Sequence, residues 1–293
     1  MSKHLKRIIT IINPAAGADT PILAALNKMT QEQEIENEVL VTQKRTDAKK
    51  FARHALTIKA DAVVVHGGDG TVVDVASILY KSTIPMIILP GGTANVMAKE
   101  LNIPMDLPSA LKVLTRKPKV VLMDVALWGT KPLFLRLEAG ILADIVISTT
   151  RELKENLGII AYPLAALKQA IAAVPSTYTL TMDGKGIEMD GVGLMIANVG
   201  NLGLTGVSYH SKMSCTDGLL DILVLQSSDL KTLVELGSSA LTGGKKPLAL
   251  KHWQAKKVAV KILPSQTTVV DDHKVKHKSF TITMAKEKLK VLV

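Results

Sequence analysis

The chain has 293 residues, 47% hydrophobic and 21% charged, a globular balance that excludes disorder and suits two domains. A single cysteine, Cys215, excludes an internal disulfide framework and a cysteine-rich zinc site, and 3% aromatics exclude a surface of base-stacking platforms. The net charge of +10 is unevenly placed: residues 245–293 carry 12 Lys and no Arg against three acids, Asp271, Asp272 and Glu287, so the totals of 36 and 26 leave 24 basic and 23 acidic residues before them.

The N-terminus opens with basic residues and a short apolar run that ends at Asn13-Pro14 with no small-residue cleavage site, which reads as a first strand, Lys6–Asn13, and not a signal peptide. A helix over Thr20–Gln31 follows, then a strand over Glu38–Thr42 and a helix over Asp47–Ile58 with Asp47 as its N-cap. Next come a β-branched strand, Ala62–His66, a helix, Thr71–Tyr80, a strand, Met86–Leu89, and a helix, Thr93–Leu101. Continuous apolar strands alternating with helices predict a parallel sheet covered on both faces.

The pattern changes after Pro118. Strands are predicted over Lys119–Leu127, Leu133–Leu137 and Ile141–Ile147, then a long helix over 157–173. Further strands are predicted over Thr177–Met182, Gly193–Asn198, Leu219–Leu225, Val258–Ile262, Thr267–Val270 and Ser279–Met284, with a helix over 229–241. Many short strands at close spacing predict an antiparallel sandwich or barrel. The division falls at 122, giving an α/β domain over 1–122 and a mainly β domain over 123–293. No stretch approaches the ~20 apolar residues that span a bilayer, so a cytoplasmic protein is expected.

Three turns follow apolar strands directly: Asn13-Pro14-Ala15-Ala16-Gly17, Gly67-Gly68-Asp69-Gly70-Thr71, and Pro90-Gly91-Gly92-Thr93-Ala94-Asn95. In a parallel sheet such turns lie at the carboxyl ends of the strands, where ligands bind. Glycine lets backbone approach a phosphate, and the following helix N-terminus offers N–H donors. Thr71 and Thr93 can cap their helices and donate to phosphate oxygens. Turns that merely punctuate the chain are the plainer reading, but three on one sheet edge favour a phosphate cradle. Neither a Walker A loop nor the Rossmann glycine spacing is present. Asp69 beside phosphates implies Mg²⁺ or a hydrogen-bonding role, the alternative being a helix cap.

The set NPAAG, VVHGGDGTVVDVA and LPGGTANVMAKEL resembles the catalytic domain of the diacylglycerol kinase, sphingosine kinase and YegS-like lipid kinase family. The resemblance continues through Thr42 to Ala48, LGIIAYPLAAL at 157–167, Asn198, and Asp217-Gly218-Leu219-Leu220-Asp221, covering nearly the whole chain. It implies an NAD kinase- and phosphofructokinase-like α/β domain, a β-sandwich domain that takes the lipid, and ATP in the cleft between them. Carried over by position, Asn13, Pro14, Ala15, Ala16, Gly17, Thr42, Gly67, Gly68, Asp69, Gly70, Thr71, Gly92, Thr93 and Asn95 would line the nucleotide site. Ser214, Asp217 and the backbone of Leu219 would hold Mg²⁺. The reaction implied is phosphoryl transfer from ATP to an alcohol of a lipid.

Two departures stand out. Where the family has Asn-Asp in the third motif, this chain has Asn95-Val96, and Val96 cannot accept a side-chain hydrogen bond. The family's Val-Asp-Gly-Glu element is Val270-Asp271-Asp272-His273 here, with His273 in place of the proton acceptor. Asp271 or His273 would then take the proton of the acceptor hydroxyl, since imidazole serves as a base at neutral pH. A polar hairpin turn is the plainer reading of 271–273. Three functions stay open: a lipid kinase, an NAD kinase-like enzyme sharing the GGDGT turn, and a non-catalytic nucleotide- or lipid-binding homologue. The basic C-terminal zone fits peripheral contact with an anionic membrane or a solvated face, and no nucleic-acid motif accompanies it. The residues leave the acceptor lipid unidentified and a homodimer open.

Overall fold

The computed structural model describes residues 5–16, 21–115, 117–148, 173–204, 207–208, 213–229, 249–271, 273–275 and 278–293. The helices expected over 157–173 and 229–241 lie, apart from one end residue each, outside the described residues, as do Gly17 and Asp272. Two compact units emerge: Met1–Met123 with Gly203–Thr205 and Lys286–Val293, and Asp124–Leu202 with Gly206–Ala285.

The first unit alternates β1 (Arg7–Ile12), α1 (Ile22–Glu32), β2 (Glu36–Val41), α2 (Asp47–Thr57), β3 (Ala62–Gly67), α3 (Asp69–Leu79), β4 (Met86–Pro90), α4 (Val96–Glu100) and α5 (Leu107–Leu111), followed by β5 (Val120–Met123). Its sheet runs β2-β1-β3-β4, all parallel, with Ile8–Ile12 and all of β3 buried. Strands buried on both faces read as unbroken aliphatic runs, which is why these were legible. Asp47 is the first residue of α2 and not its N-cap, which is Thr46; its carboxylate instead accepts from the N–H groups of Gln43 and Lys44, at 2.9 and 2.8 Å.

The second unit begins with β6 (Ala126–Trp128), β7 (Lys131–Leu133), β8 (Arg136–Gly140) and α6 (Ile141–Ser148). It continues through β9 (Ser176–Met182), β10 (Lys185–Gly191), β11 (Gly193–Ala197), a two-stranded ribbon of β12 (Asn201–Leu204) and β13 (Val207–Ser208), and β14 (Leu220–Leu225). β15 (Leu250–Ala255), β16 (Lys257–Leu263), β17 (Thr268–Val270), β18 (His273–Val275) and β19 (Ser279–Met284) complete it. Two six-stranded sheets result, β10-β9-β16-β19-β6-β7 and β15-β14-β11-β8-β17-β18, with antiparallel pairing. Their facing side chains, among them Tyr178, Leu180, Val260, Ile282, Leu137, Ile196 and Ile222, form one buried core, so this unit is the expected sandwich. In the first of these sheets β9 and β16 alternate buried residues with half-buried or exposed ones.

Three expectations change. The strand expected over Lys119–Leu127 is two, β5 and β6, separated at Asp124-Val125 and placed in different units. The segment expected as a strand over Ile141–Ile147 is helix α6. Gly140 turns the chain there at φ +66°, and α6 packs Leu142 and Ile145 on the back of β11 and β14, so that sheet is covered on both faces. The division at 122 assigned all of 123–293 to the second domain, but the C-terminus returns: β20 (Leu289–Leu292) inserts into the first sheet, parallel to β4 and antiparallel to β5.

Candidate functional site

The three glycine-rich turns meet at the carboxyl edge of the parallel sheet, and each is tied to the next. Asn13, at the end of β1, donates its backbone N–H to the His66 carbonyl at 2.9 Å and its side-chain amide to Thr71 Oγ1 at 2.9 Å. Its own Oδ1 accepts from Ala15 N–H at 3.0 Å and shapes the first turn. The Gly91 N–H donates to the Gly67 carbonyl at 3.0 Å, joining the second turn to the third. A Cβ added to Gly92 would sit 2.6 Å from the Cα of Gly68, so this approach of two backbones demands glycine. Thr42 extends the same edge, its N–H donating to the Ile12 carbonyl at 2.9 Å.

Asp69 supplies the strongest tie. Its Oδ1 accepts from the N–H of Val96, the first residue of α4, at 2.6 Å. Asp69 is itself the first residue of α3, so it caps a helix other than its own. Val96 acts here through its backbone while its side chain is buried, which accounts for an apolar residue at this position. The third turn is closed by Asn95, in the left-handed region at φ 48° and ψ 48°, whose side chain accepts from Gly92 N–H at 2.8 Å and donates to the Gly92 carbonyl at 2.6 Å.

The expected capping roles of Thr71 and Thr93 do not hold. Gly68 is the N-cap of α3 and Asn95 that of α4; Thr71 lies two residues inside α3 and Thr93 precedes the α4 cap by two. The cap residue Gly68 brings no side chain to the first turn of α3, and Thr71 N–H bonds the Gly68 carbonyl at 3.0 Å. This helix N-terminus lies at the same edge as the exposed Thr93 and the half-buried Thr71. Helix N-terminal donors of this kind, with a backbone cradle at Gly68 and Gly92, suit a phosphate. Nearby, burial lowers the His66 imidazole from its ordinary value, a neutral ring that packs under Gly91 with Nδ1 3.2 Å from the Leu89 carbonyl. Burial also lowers the Lys99 ammonium, against the opposing pull of the Asp69 carboxylate.

In the second unit, Asp271 is a structural clamp. Its carboxylate accepts three backbone N–H bonds, from Phe134 at 2.9 Å, Leu135 at 2.9 Å and Arg136 at 3.1 Å, while its own N–H donates to the Arg136 carbonyl at 3.0 Å. It is buried, at φ 43°. Asp271, expected as one of two candidates to take a substrate proton, has both carboxylate oxygens engaged in fixing the link from β7 to β8. His273, two residues on, is exposed at the start of β18.

The residues carried over for Mg²⁺ share one turn before β14. Ser214 Oγ lies 3.1 Å from Thr216 Oγ1, and Asp217 Oδ1 accepts from Leu219 N–H at 2.9 Å. Burial raises the Asp217 carboxyl above the usual range, and the Asp221 and Asp124 carboxylates add to it, against the Leu219 hydrogen bond. Sequence reasoning missed this surround. Asp124 is buried and accepts from Gly218 N–H at 2.7 Å. Asp221 Oδ1 lies 2.6 Å from His252 Nε2, and its buried Oδ2 has no hydrogen-bond partner among the described residues. Only the Asp-Gly-x-Leu-Asp spacing hinted at Asp221; Asp124 and His252 carried no local signal. Three carboxylates around one turn, one with an oxygen unpaired among the described residues, fit a cation. Among the described residues no group of three His, Cys, Asp or Glu side chains is arranged to hold one alone.

Comparison with known proteins agrees with this architecture. Residues 7–127 match the diacylglycerol kinase catalytic domain, and residues 137–293 match the YegS C-terminal NAD kinase beta sandwich-like domain. A "probable lipid kinase YegS-like" of Klebsiella pneumoniae (strain 342) is 31% identical over 73% of this chain and 72% of its own length. An uncharacterized protein of Synechocystis sp. is 35% identical over 71% of this chain, which spans only 49% of that protein. A solved diacylglycerol kinase structure from Bacillus anthracis str. Sterne shares the fold, with a TM-score of 0.80 at 24% identity over 99% of this chain and 98% of that one. With both halves matched in order, the chain belongs to the YegS-like lipid kinase family, built on a diacylglycerol kinase catalytic domain.

Proposed function

We propose that this chain transfers the γ-phosphate of ATP to a hydroxyl of a membrane lipid. The observation that carries the reading is the hydrogen-bonded union of three glycine-rich turns at one sheet edge. Together they present the N-terminus of α3 behind its cap residue Gly68, the Gly68–Gly92 backbone approach and the hydroxyls of Thr71 and Thr93. The phosphates of ATP are the ligand this set suits: backbone donors neutralise their charge where no side chain could fit.

Phosphoryl transfer rests on positioning and on charge stabilisation. Asn13, Asp69 and Asn95 hold the cradle in shape through the bonds described. The acceptor oxygen forms the new P–O bond as the bond to the β-phosphate bridge breaks, and its proton needs a base. Asp271 accepts three N–H bonds, and this reading assigns the task to His273, the exposed residue at the start of β18. Ser214, Asp217 and the Leu219 carbonyl would hold Mg²⁺, whose charge offsets the carboxylates around that turn.

The exposed lysines of the second unit, Lys251, Lys256, Lys257, Lys261, Lys274 and Lys278, support peripheral contact with an anionic membrane. Among the described residues no helix is long and apolar enough to cross one. A non-catalytic nucleotide- or lipid-binding role is the second reading, favoured by the commitment of Asp271 and the histidine at 273. Transfer of labelled phosphate from ATP-Mg²⁺ to a total lipid extract, compared between wild type, His273→Ala and His273→Glu, separates the two. A labelled lipid lost in the alanine variant and retained with glutamate supports the kinase. ATP binding with no transfer by any of the three supports the binding role.

A further inference from the structure

We propose that His66 is a positioning residue of the phosphate cradle, its ring setting the stance of the third turn against the other two; the inference rests on the nucleotide reading above. His66 is the polar side chain of β3, a strand otherwise of Ala, Val and Gly, and it is buried. It stands between Ile12 of β1 and Leu89 of β4 in the sheet, one residue before the glycines of the second turn. Its carbonyl accepts the Asn13 N–H at 2.9 Å, so its backbone already holds the first turn.

The ring reaches the third turn in two ways. Nδ1 lies 3.2 Å from the Leu89 carbonyl, immediately before Pro90 opens that turn. A carbonyl oxygen only accepts, so Nδ1 carries the proton of this neutral ring. The other contact is with Gly91. A Cβ there would lie 2.7 Å from His66 Cε1, 3.0 Å from Nε2 and 3.2 Å from Nδ1, so the ring sits against bare backbone with no room for a methyl.

A residue that only filled this part of the core would be aliphatic, as Val64 and Val65 are. Burying an imidazole costs free energy unless its polar atoms are bonded. What the ring supplies in return is direction: a donor fixed on the end of β4 and an edge pressed on Gly91. Gly91 leads into Gly92, where the second and third turns close to the distance that demands glycine. The Gly91 N–H donates to the Gly67 carbonyl at 3.0 Å in the same stretch. The ring thus braces the place where the two turns meet, and a displacement of about 1 Å there is enough to spoil a positioned ligand.

Calorimetric affinity of the full chain for ATP-Mg²⁺, with melting temperature beside it, tests this. His66→Leu keeps apolar bulk and loses the donor, so it should fold yet bind about tenfold more weakly. His66→Asn keeps an amide donor at the Nδ1 position and should bind within about threefold of wild type. A residue that merely filled the core would show the opposite order. Gly91→Ala puts a methyl against Cε1 and should weaken binding by about tenfold or more. His66→Asn deletes Cε1 and Nε2, so adding it to Gly91→Ala makes room for the methyl and should restore most of the affinity. A folded His66→Leu that binds as wild type overturns the proposal. So does a Gly91→Ala loss that His66→Asn fails to relieve, which decides the matter if the leucine variant does not fold. Either result leaves the nucleotide reading intact, whereas wild type that binds no ATP-Mg²⁺ overturns both.

Discussion

The carboxylate of Asp69 and the backbone N–H of Val96 are joined by a 2.6 Å hydrogen bond that fastens the second glycine turn to the helix after the third. The bond separates two roles for one residue. As an acceptor Asp69 fixes the cradle; as a charge it acts on whatever the cradle binds. Asp69→Asn keeps an acceptor oxygen and removes the charge, whereas Asp69→Ala removes both. The alanine variant should lose about 1–3 kcal/mol of stability by urea unfolding, and the asparagine variant much less. Both should lose phosphate transfer by about a hundredfold or more, a loss of about 3 kcal/mol in transition-state stabilisation. An active asparagine variant would reduce Asp69 to a structural tie.

Gly92 and Gly70 make a paired test of the cradle. A methyl on Gly92 meets the Gly68 backbone at 2.6 Å, while a Cβ on Gly70 meets nothing within 4 Å. Gly92→Ala should force the second and third turns apart and abolish ATP binding by calorimetry. Gly70→Ala, inside the first turn of α3, should melt no lower than wild type, alanine being the better helix former. Wild-type affinity in Gly92→Ala would detach the Gly68–Gly92 approach from nucleotide binding.

Asp271 holds three backbone donors at φ 43°. Asp271→Ala leaves those N–H groups unpaired in a buried setting and adds left-handed backbone strain. The expected cost is on the order of 3 kcal/mol or more in chemical unfolding. Asp271→Asn tolerates the backbone and keeps one acceptor, so it should cost less. A proton acceptor with no structural duty would show the reverse: little change in unfolding and loss of turnover alone.

Asp217 titrates above the usual carboxylate range because burial and the neighbouring Asp221 and Asp124 charges oppose its ionised form. A carboxyl raised in the folded state destabilises once pH passes its raised value. The penalty is absent below the ordinary carboxylate range, where both states are protonated. Without divalent cation, Asp217→Asn should therefore melt higher than wild type at neutral pH and lose that advantage in acid. Adding Mg²⁺ should raise the wild-type melting temperature and leave the variant unmoved, while a chelator should return wild type to its starting value. Equal Mg²⁺ responses would remove Asp217 from the ligand set.

Legibility in the sequence followed the range over which each feature is decided. Ile8–Ile12 and Val63–Val65 read as strands because burial on both faces leaves an unbroken aliphatic run. The three turns were visible because their glycines answer local backbone demands. Ile141–Ile147 was misread because a short apolar run serves a helix or a strand equally. What decided it was Gly140 and the uncovered back of β11 and β14, neither of which periodicity reports. β20 escaped notice because Leu289–Leu292 acquires meaning only beside β4 and β5, from the far end of the chain. The Asp69–Val96 bond spans 27 residues and the Asp124–Gly218 bond 94, so no local pattern could disclose either.

Lipid phosphorylation is tested most directly by transfer of radiolabelled phosphate from ATP-Mg²⁺ into a total lipid extract, resolved by chromatography, with Asp69→Asn beside wild type. Wild type should yield a labelled lipid and the variant none, at matched folding and melting temperature. Wild type that binds ATP yet labels no lipid would contradict the assignment, while a folded variant that labels as well as wild type would leave Asp69 a structural tie only.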